Sequence, residues 1–307
     1  MRIVSLLPSA TEIVCALGLR EELVGVSHCC DYPPEIEGVA VVTRPRHAGD
    51  RTRAAGGEIL HPFVDNEIGP AELDVDALRT AQPDLVIVRE TVSGSGLGSR
   101  RVREVLGDTA GEPVIVSLDP VSMEGIFHSV TTIGAMVEAE DDAMELLEAL
   151  REELGDLEQQ VVVRQDQGVQ APRVVMLQGI EPPFASGRWV PEQVRRAGGW
   201  DLLGREGDAP IEIDWEMVRD VDPEMLLLAP VGMHLPAAKR AFARLQLPEF
   251  WHDMEAVRRG RVFIVEPVYF ERPSPRVLDG VGMLAEIFDP ETFVDTSPPG
   301  SWTPVME

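Results

Sequence analysis

One pattern of helix, proline and strand occurs twice in this sequence, 140 residues apart. Residues 76–88 read DALRTAQPDLVIV and residues 216–228 read EMVRDVDPEMLLL, so that an acid, an arginine and a proline coincide in the two copies. In both copies the proline and one acid are followed by four apolar residues. A proline ends a helix, and a short apolar run is typical of a buried parallel strand. The repeat therefore predicts two similar α/β lobes rather than one continuous sheet.

A long amphipathic helix is predicted between the two copies, from Asp141 to about residue 165. Its apolar residues recur every three or four positions, which puts them on one stripe of a helix. These residues are Ala143, Leu147, Leu150, Leu154, Leu157 and Val161. Asp141 and Asp142 offer side-chain oxygens for its N-cap. The chain then divides into an N-terminal α/β lobe (1–138), an interlobe backbone helix (139–167), a C-terminal α/β lobe (168–290) and a peripheral tail (291–307).

The first residues are expected to form a βαβ unit. Residues 2–7 are apolar enough for a buried strand, and Ser9-Ala10-Thr11-Glu12 matches the S-x-x-E capping box that opens a helix. A second strand is expected at residues 23–27. A βαβ unit calls for a parallel sheet covered by helices, and such sheets bind ligands at the carboxyl ends of their strands. The loop at residues 28–34 lies at such an end.

The composition excludes several classes of function. The 307 residues carry 53 acids and 27 bases for a net charge of -26, and Lys239 is the only lysine. This charge repels nucleic acid and anionic membranes. Acid excess with almost no lysine indicates a halophile-like acidic surface. No catalytic triad, H-E-x-x-H or Walker motif is present, so the protein is not expected to be an enzyme.

The apolar stretch at residues 1–8 is too short for the core of a signal peptide and carries neither a cleavage site nor a lipobox. As written, the sequence predicts a cytoplasmic protein. It predicts a periplasmic or extracellular one if an export signal is missing from the sequence.

Five short stretches carry a resemblance to a known family. They are residues 2–12 (RIVSLLPSATE), 31–34 (DYPP), 83–86 (PDLV), 182–187 (PPFASG) and 269–276 (YFERPSPR). Together they resemble the class III substrate-binding proteins of ABC importers, specifically the cobalamin (vitamin B12)-binding group, and the resemblance covers residues 2–290. It implies two Rossmann-like lobes with parallel sheets, joined by one long interlobe helix, and a ligand held in the cleft between them. It also implies a corrinoid or cobalamin as ligand, with no intrinsic cofactor.

The ligand is expected to lie between the loops at residues 28–34, 89–98, 179–189 and 266–276. The aromatic residues would cover a broad apolar face of the ligand, and the arginines would fix its polar rim. The candidate ligand-binding residues are His28, Tyr32, Arg44, Arg89, Phe184, Trp189, Tyr269, Arg272 and Arg276. Arg44 and Arg89 stand where relatives that bind vitamin B12 place aromatic residues.

Two acids of the internal repeat, Asp76 and Glu216, are implied to dock onto arginines of an ABC permease. The alternative is that each is an acid in the first turn of a helix, where the helix dipole favours it.

His28, Cys29 and Cys30 have the donor atoms of a soft-metal site, and His28 is the candidate axial ligand for cobalt or haem iron. Three adjacent residues cannot all ligate one ion, so a complete site would need a distant partner such as His47 or His61. The alternative is a partly buried loop with one polar contact.

The predicted function is non-catalytic binding of a corrinoid by a monomer, for ABC-type uptake or intracellular carriage. One alternative is a protein that binds a ferric siderophore, haem or another metal chelate. A rival from another class is an enzyme acting on a nucleotide or cofactor through the Gly94–Gly98 loop, with Arg89, Arg100 and Arg101 beside it.

Overall fold

The structure is a computed structural model that describes residues 1–45, 71–90, 97–107 and 112–305. The chain forms two compact units. Unit 1 comprises Met1–Pro120 and Gly125–Glu148, and unit 2 comprises Val121–Glu124 and Ala149–Glu307. The predicted metal partners His47 and His61 and most of the Gly94–Gly98 loop lie outside the described residues.

Unit 1 is built on a parallel sheet made of short apolar runs. The elements of the first half of the chain are β1 (Ile3–Ser5), α1 (Pro8–Ala16), β2 (Leu23–Val26), β3 (Thr43–Pro45), β4 (Ala71–Leu73), α2 (Val75–Ala81), β5 (Leu85–Val88), α3 (Ser99–Leu106), β6 (Val114–Ser117), α4 (Met123–Met136) and α5 (Glu140–Asp166). Four strands pair in the order β2-β1-β5-β6, all parallel, and β3 and β4 form a separate antiparallel pair. Every residue of β1 and β5 is buried, as expected for strands covered on both faces. The chain passes from β1 to β2 on one side and reaches β5 on the other, which makes the carboxyl ends of β1 and β5 the topological switch point.

Unit 2 repeats this parallel order. Its elements are β7 (Arg173–Ile180), β8 (Pro183–Ala185), β9 (Gly187–Arg188), α6 (Val190–Arg196), β10 (Trp200–Asp201), β11 (Arg205–Glu206), β12 (Ile211–Glu212), α7 (Trp215–Val221), β13 (Met225–Leu228), α8 (Leu235–Phe242), α9 (Glu255–Arg258), β14 (Val262–Val265), α10 (Val268–Glu271), α11 (Val277–Phe288) and β15 (Trp302–Pro304). The parallel strands run β10-β7-β13-β14, and β8, β12 and β15 add antiparallel pairs at the edges. The two-lobe α/β architecture with parallel sheets is thereby confirmed.

The repeat seen in the sequence is also a repeat of local geometry. Helices α2 and α7 and strands β5 and β13 occupy equivalent positions in the two copies. Asp74 and Asp214 cap the two helices, and each side chain accepts a hydrogen bond from the backbone N–H three residues later. Gln82 and Asp222 end them in the left-handed conformation, with φ of 43° and 39°. The two helices are therefore capped at equivalent positions and have the same length of seven residues.

A second contact fixes each copy to the first strand of its unit. The Asp84 carboxylate accepts a hydrogen bond from the Arg2 backbone N–H at 2.7 Å, and the Glu224 carboxylate accepts one from the Arg173 N–H at 2.8 Å. The acid after each proline therefore sets the register between the repeated strand and β1 or β7.

Helix α5 is a single helix of 27 residues, as the apolar stripe predicts. Ala143, Leu147, Leu150, Leu154 and Val161 are buried and Leu157 is half-buried. The helix begins at Glu140, so Asp141 and Asp142 lie in its first turn and do not cap it. Their negative charges there stabilise the helix by interacting with the positive end of its dipole. The boundary between the units falls within this helix, after Glu148. Within the described part of the chain, no helix combines the length and the apolar character needed to span a membrane.

The capping box predicted at residues 9–12 does not form. Pro8 occupies the first turn of α1, because its fixed φ and missing N–H suit that position. Ser9, Thr11 and Glu12 are therefore buried inside the helix, and the Thr11 hydroxyl donates to the Leu7 carbonyl at 3.1 Å.

Two further segments differ from the sequence prediction. Residues 179–187, expected to be a loop, form the hairpin of β7 and β8 and the start of β9. The tail, predicted to be peripheral, contributes β15 as an antiparallel strand beside β14, and Phe293 is buried. The Trp302 ring meets the Phe263 ring edge-on with 5.6 Å between centroids, so aromatic packing holds this part of the tail on the sheet.

Candidate functional site

The carboxyl ends of β1 and β2 bring together small polar side chains. Ser27, at the end of β2, is fully buried, and its carbonyl accepts a hydrogen bond from the Cys30 N–H at 3.1 Å. The Cys30 sulfur lies 3.2 Å from the Ser27 hydroxyl and 3.1 Å from the Thr11 hydroxyl of α1. These contacts fold residues 27–30 into a tight turn across the end of the sheet.

His28 is held by one side chain, Thr43 of β3. The Thr43 hydroxyl oxygen accepts from the His28 backbone N–H at 2.9 Å and lies 2.7 Å from Nδ1 of the ring. Burial lowers the pKa of His28, so the imidazole is neutral at neutral pH. In the tautomer in which Nδ1 donates to Thr43, Nε2 keeps a free lone pair.

The described residues contain no group of three or more His, Cys, Asp and Glu side chains placed to hold a metal ion. The metal role of His28, Cys29 and Cys30 stays a prediction.

Tyr32, four residues beyond His28, has an exposed side chain, with 42% of its surface accessible. Two arginines predicted to bind ligand, Arg44 and Arg89, pair with acids of their own unit. Arg44 lies 3.3 Å from Glu72 and 3.5 Å from the capping residue Asp74. The buried Arg89 donates from Nε to Oδ1 of Asp119 at 2.9 Å, and its Nη2 lies 2.9 Å from the same oxygen in an ion pair.

Two aromatic residues predicted to meet ligand are packed inside unit 2. Phe184, in β8, is 2% exposed, and Trp189, before α6, is 1% exposed. Their neighbour Gly187 is close to another backbone segment, because a Cβ there would lie 2.5 Å from the Asp208 carbonyl oxygen. The PPFASG motif therefore forms a tightly packed part of the unit 2 core.

Tyr269 is half-buried, and burial raises the pKa of its phenol. The guanidinium of Arg276 lies over its ring, 5.6 Å from the centroid. Arg272, between them, is buried.

The loop after β14 is tied to the loop after β13 through two carboxylates. Glu271 accepts from the Gly232 N–H at 2.7 Å, and Glu266 accepts from the Leu235 N–H at 2.9 Å. The carboxyl ends of β13 and β14 therefore form one connected surface in unit 2.

Gln193 positions this surface and is absent from the predicted residues. It is fully buried in α6, and its Nε2 donates to the carbonyls of Tyr269 at 3.0 Å and Val277 at 2.8 Å. The only sequence signal is a polar residue one helical turn after Trp189, on a face that continues to Ala197.

Asp76 and Glu216 have equivalent exposed positions in the first turns of α2 and α7. Among the described residues neither carboxylate forms an ion pair. Arg100 and Arg101 lie on the surface of α3, each within 4 Å of Glu104.

Comparison with known proteins identifies the family. The family described as periplasmic binding protein matches residues 3–269. This chain belongs to that family. An uncharacterized ABC transporter substrate-binding lipoprotein of Bacillus subtilis, YvrC, is 25% identical over 298 residues, covering 95% of this chain and 81% of YvrC. The vitamin B12-binding protein of Vibrio cholerae is 25% identical over 289 residues, covering 91% of this chain and 86% of that protein.

A periplasmic heme-binding protein from Pseudomonas aeruginosa shares the fold. Its crystal structure matches with a TM-score of 0.70 and 22% identity, over 99% of this chain and 95% of its own.

Members of the periplasmic binding protein family bind small-molecule ligands and do not catalyse reactions. This confirms the expected non-catalytic role, so the alternative of a nucleotide-dependent enzyme is wrong.

The cytoplasmic location predicted from the first residues is also wrong, because the family and its lipoprotein relative point outside the cytoplasm. The stretch used for that prediction contains β1, a buried central strand. Its length and composition therefore reflect the sheet and carry no information on export.

Proposed function

We propose that this protein is the substrate-binding component of an ABC importer and that its ligand is a corrinoid. The observation that carries the ligand assignment is the loop after β2, which combines the neutral imidazole of His28 with the exposed ring of Tyr32. A corrinoid offers a metal with an axial position and a broad apolar face. An imidazole suits the metal and an aromatic ring suits the face. The vitamin B12-binding relative supports this choice.

Unit 2 offers the complementary chemistry in the pair of Tyr269 and Arg276. The amide side chains at the rim of a corrinoid accept hydrogen bonds, and an arginine presents several donors in a fixed plane. Arg276 already rests on an aromatic ring, so contact with an amide would cost it little conformational freedom.

A panel of ligands tests the assignment. Purified protein is titrated with cobalamin, cobinamide, haemin and a ferric siderophore, with NAD and ATP as controls, and binding is followed by calorimetry. We expect cobalamin or cobinamide to bind most tightly. Tighter binding of haemin would assign the same imidazole to haem iron, and tighter binding of the siderophore would remove the role of His28; either result would refute the corrinoid assignment.

Substitution of His28 tests the axial contact. If Nε2 of His28 ligates cobalt, cobinamide bound to the wild type should show a changed visible spectrum, and His28→Ala should abolish that change and weaken binding about tenfold or more. His128→Ala, which removes an exposed imidazole on α4, is the matched control and should behave as wild type. An unchanged spectrum in His28→Ala would exclude axial ligation.

We further propose that Asp76 and Glu216 dock the protein onto the permease. Both are exposed acids at the same position of equivalent, equally capped helices, so they form a matched pair with one carboxylate on each unit. Arginines of the permease would form charge-assisted hydrogen bonds with these carboxylates.

Reversal of both charges tests the docking. With the permease and ATPase of the importer that this protein serves reconstituted in nanodiscs, Asp76→Lys/Glu216→Lys should reduce stimulation of ATP hydrolysis about tenfold or more while ligand affinity stays unchanged. Glu145→Lys/Glu249→Lys, at two other exposed acids with one on each unit, changes the net charge equally and is the matched control. If stimulation persists in the double variant, the two acids serve only their helix dipoles, worth about 0.3–1 kcal/mol each.

A further inference from the structure

Unit 2 contains a cavity of about 310 Å³ whose lining includes none of the residues assigned to ligand binding. Two of its walls are helices. Glu153, Asp156, Leu157 and Gln160 share one face of α5 because they are three or four residues apart. Leu278, Val281 and Gly282 share a face of α11 in the same way, and a segment at residues 293–296 forms the third wall.

Hydrogen bonds fix the third wall. The Thr296 hydroxyl donates to the Gly282 carbonyl at 2.9 Å, and both the N–H and the hydroxyl of Ser297 donate to Glu286, at 2.9 and 2.8 Å. Gly282 permits this approach, since a Cβ at that position would lie 2.5 Å from the Thr296 carbonyl oxygen. The cavity is therefore preformed, as small-molecule sites usually are.

The floor of the cavity is apolar and its rim is acidic. Leu154, Leu278, Val281 and Phe293 supply buried apolar surface at its base. The charged lining residues are all acids, namely Glu153, Asp156 and Asp295, and within the described residues no ion pair involves them. A ligand that combines an apolar body with positive charge would complement both the floor and the rim.

The arrangement of these carboxylates excludes a metal ion as that occupant. Among the described residues no three acids, histidines or cysteines converge closely enough to hold a metal. Spread around an apolar floor, the three carboxylates instead match an extended cation that is larger than an ion and only partly polar.

We propose that this cavity binds a small organic cation, an amine carried on an apolar ring or chain. The apolar body lies against Leu154, Val281 and Phe293, and the ammonium group lies toward Asp156 and Asp295 at the rim. The site is independent of the corrinoid assignment, because it uses none of the residues assigned to that ligand.

The test uses three probes of similar size and different charge, namely 2-phenylethylammonium, 2-phenylethanol and 3-phenylpropanoate. Binding to the full chain carrying ¹³C-labelled leucine and valine methyl groups is followed by NMR. The cation should shift the methyl signals of Leu154, Leu157, Leu278 and Val281, with an affinity about tenfold above that of the alcohol. The anion should not bind, and added salt should weaken the cation.

Two variants and a control complete the test. Asp156→Asn/Asp295→Asn keeps the shape of the rim and should lower the affinity for the cation about fivefold or more, whereas Leu157→Trp should fill the cavity and abolish binding. Glu152→Gln removes an acid of the same helix outside the cavity and should change affinity less than twofold. Equal binding of the alcohol and the cation, no effect of the double substitution, or signal shifts confined to other methyl groups would each overturn the proposal.

Discussion

Leu150→Pro should lower the free energy of unfolding by about 5 kcal/mol, more than any other single substitution argued for this protein. Leu150 is buried in the interior of α5, more than two turns from either end. A proline there loses the backbone hydrogen bond to the preceding turn and clashes with its carbonyl, which costs about 3 kcal/mol or more. Loss of the buried leucine side chain adds about 2 kcal/mol. Urea unfolding followed by far-UV circular dichroism measures the change.

Two controls separate the backbone effect from the packing effect. Leu150→Ala removes the same side chain and keeps the helix, so it should cost only about 2 kcal/mol. Asp141→Pro introduces proline in the first turn of the same helix, where it is tolerated, and should cost less than about 1 kcal/mol. If Leu150→Pro and Leu150→Ala lost the same stability, the continuity of α5 would contribute nothing, and this prediction would fail.

The elements that were predicted correctly from the sequence are those with a regular spacing of residues. The stripe of α5 and the two copies of helix, proline and strand are local patterns, and local patterns are set by the geometry of the elements themselves. The capping aspartates Asp74 and Asp214 belong to the same class, because their hydrogen bonds reach only three residues along the chain. The capping box at Ser9 failed since Pro8 offered a competing start to the same helix.

The strands that were not predicted from the sequence depend on contacts between segments that are far apart in the chain. Strands β9 and β11 are two residues each and exist because Gly187–Arg188 pairs with Arg205–Glu206, almost twenty residues later. Proline and glycine in residues 179–187 predict a loop when only neighbours along the chain are considered.

Prediction of the candidate site was limited in the same way, because neighbouring residues do not show which side chains are exposed. The sequence gives no reason to distinguish Phe184 and Trp189 from Tyr32. In the structure, however, the first two rings lie in the core and the ring of Tyr32 is exposed. Aromatic residues are common both in protein cores and on binding surfaces, so residue type alone does not show which of the two roles a given residue has. Gln193 was missed for a related reason. Its contacts with Tyr269 and Val277 span 76 and 84 residues, so the sequence of α6 alone does not predict them.

Asp201→Asn should make the protein more stable at neutral pH, by as much as about 3 kcal/mol. The Asp201 carboxyl, in β10, is largely enclosed and accepts hydrogen bonds from the Ser186 hydroxyl at 2.5 Å and from the N–H groups of Leu203 and Gly204 at 3.2 and 3.0 Å. The backbone of Met176 is a further hydrogen-bond partner. Burial raises the pKa of Asp201 from 3.8 to about 6, although these hydrogen bonds act in the opposite direction. The cost of charging this group in the folded protein is therefore present at neutral pH.

The stability of the wild type should depend on pH because the folded and unfolded states bind the Asp201 proton with different affinity. Between about pH 4 and pH 6 the folded protein keeps the Asp201 proton that the unfolded chain has already lost, so the wild type loses stability as the pH rises through this window. Each pKa unit corresponds to about 1.4 kcal/mol, which gives the upper limit of about 3 kcal/mol for the whole shift. Asparagine keeps a carbonyl oxygen for Leu203 and Gly204 and can donate to the Ser186 hydroxyl, but it carries no charge to bury.

Urea unfolding of the wild type and Asp201→Asn at pH 4.5 and pH 7.5 measures the difference. The variant should be clearly more stable at pH 7.5, and the two proteins should approach each other at pH 4.5, where the wild-type carboxyl is largely protonated. Asp253→Asn, at an exposed aspartate of the same unit, is the matched control and should show a difference below about 0.5 kcal/mol at both pH values. A variant that is less stable than the wild type at pH 7.5 would show that the hydrogen bonds to the charged carboxylate stabilise the folded protein by more than its burial destabilises it.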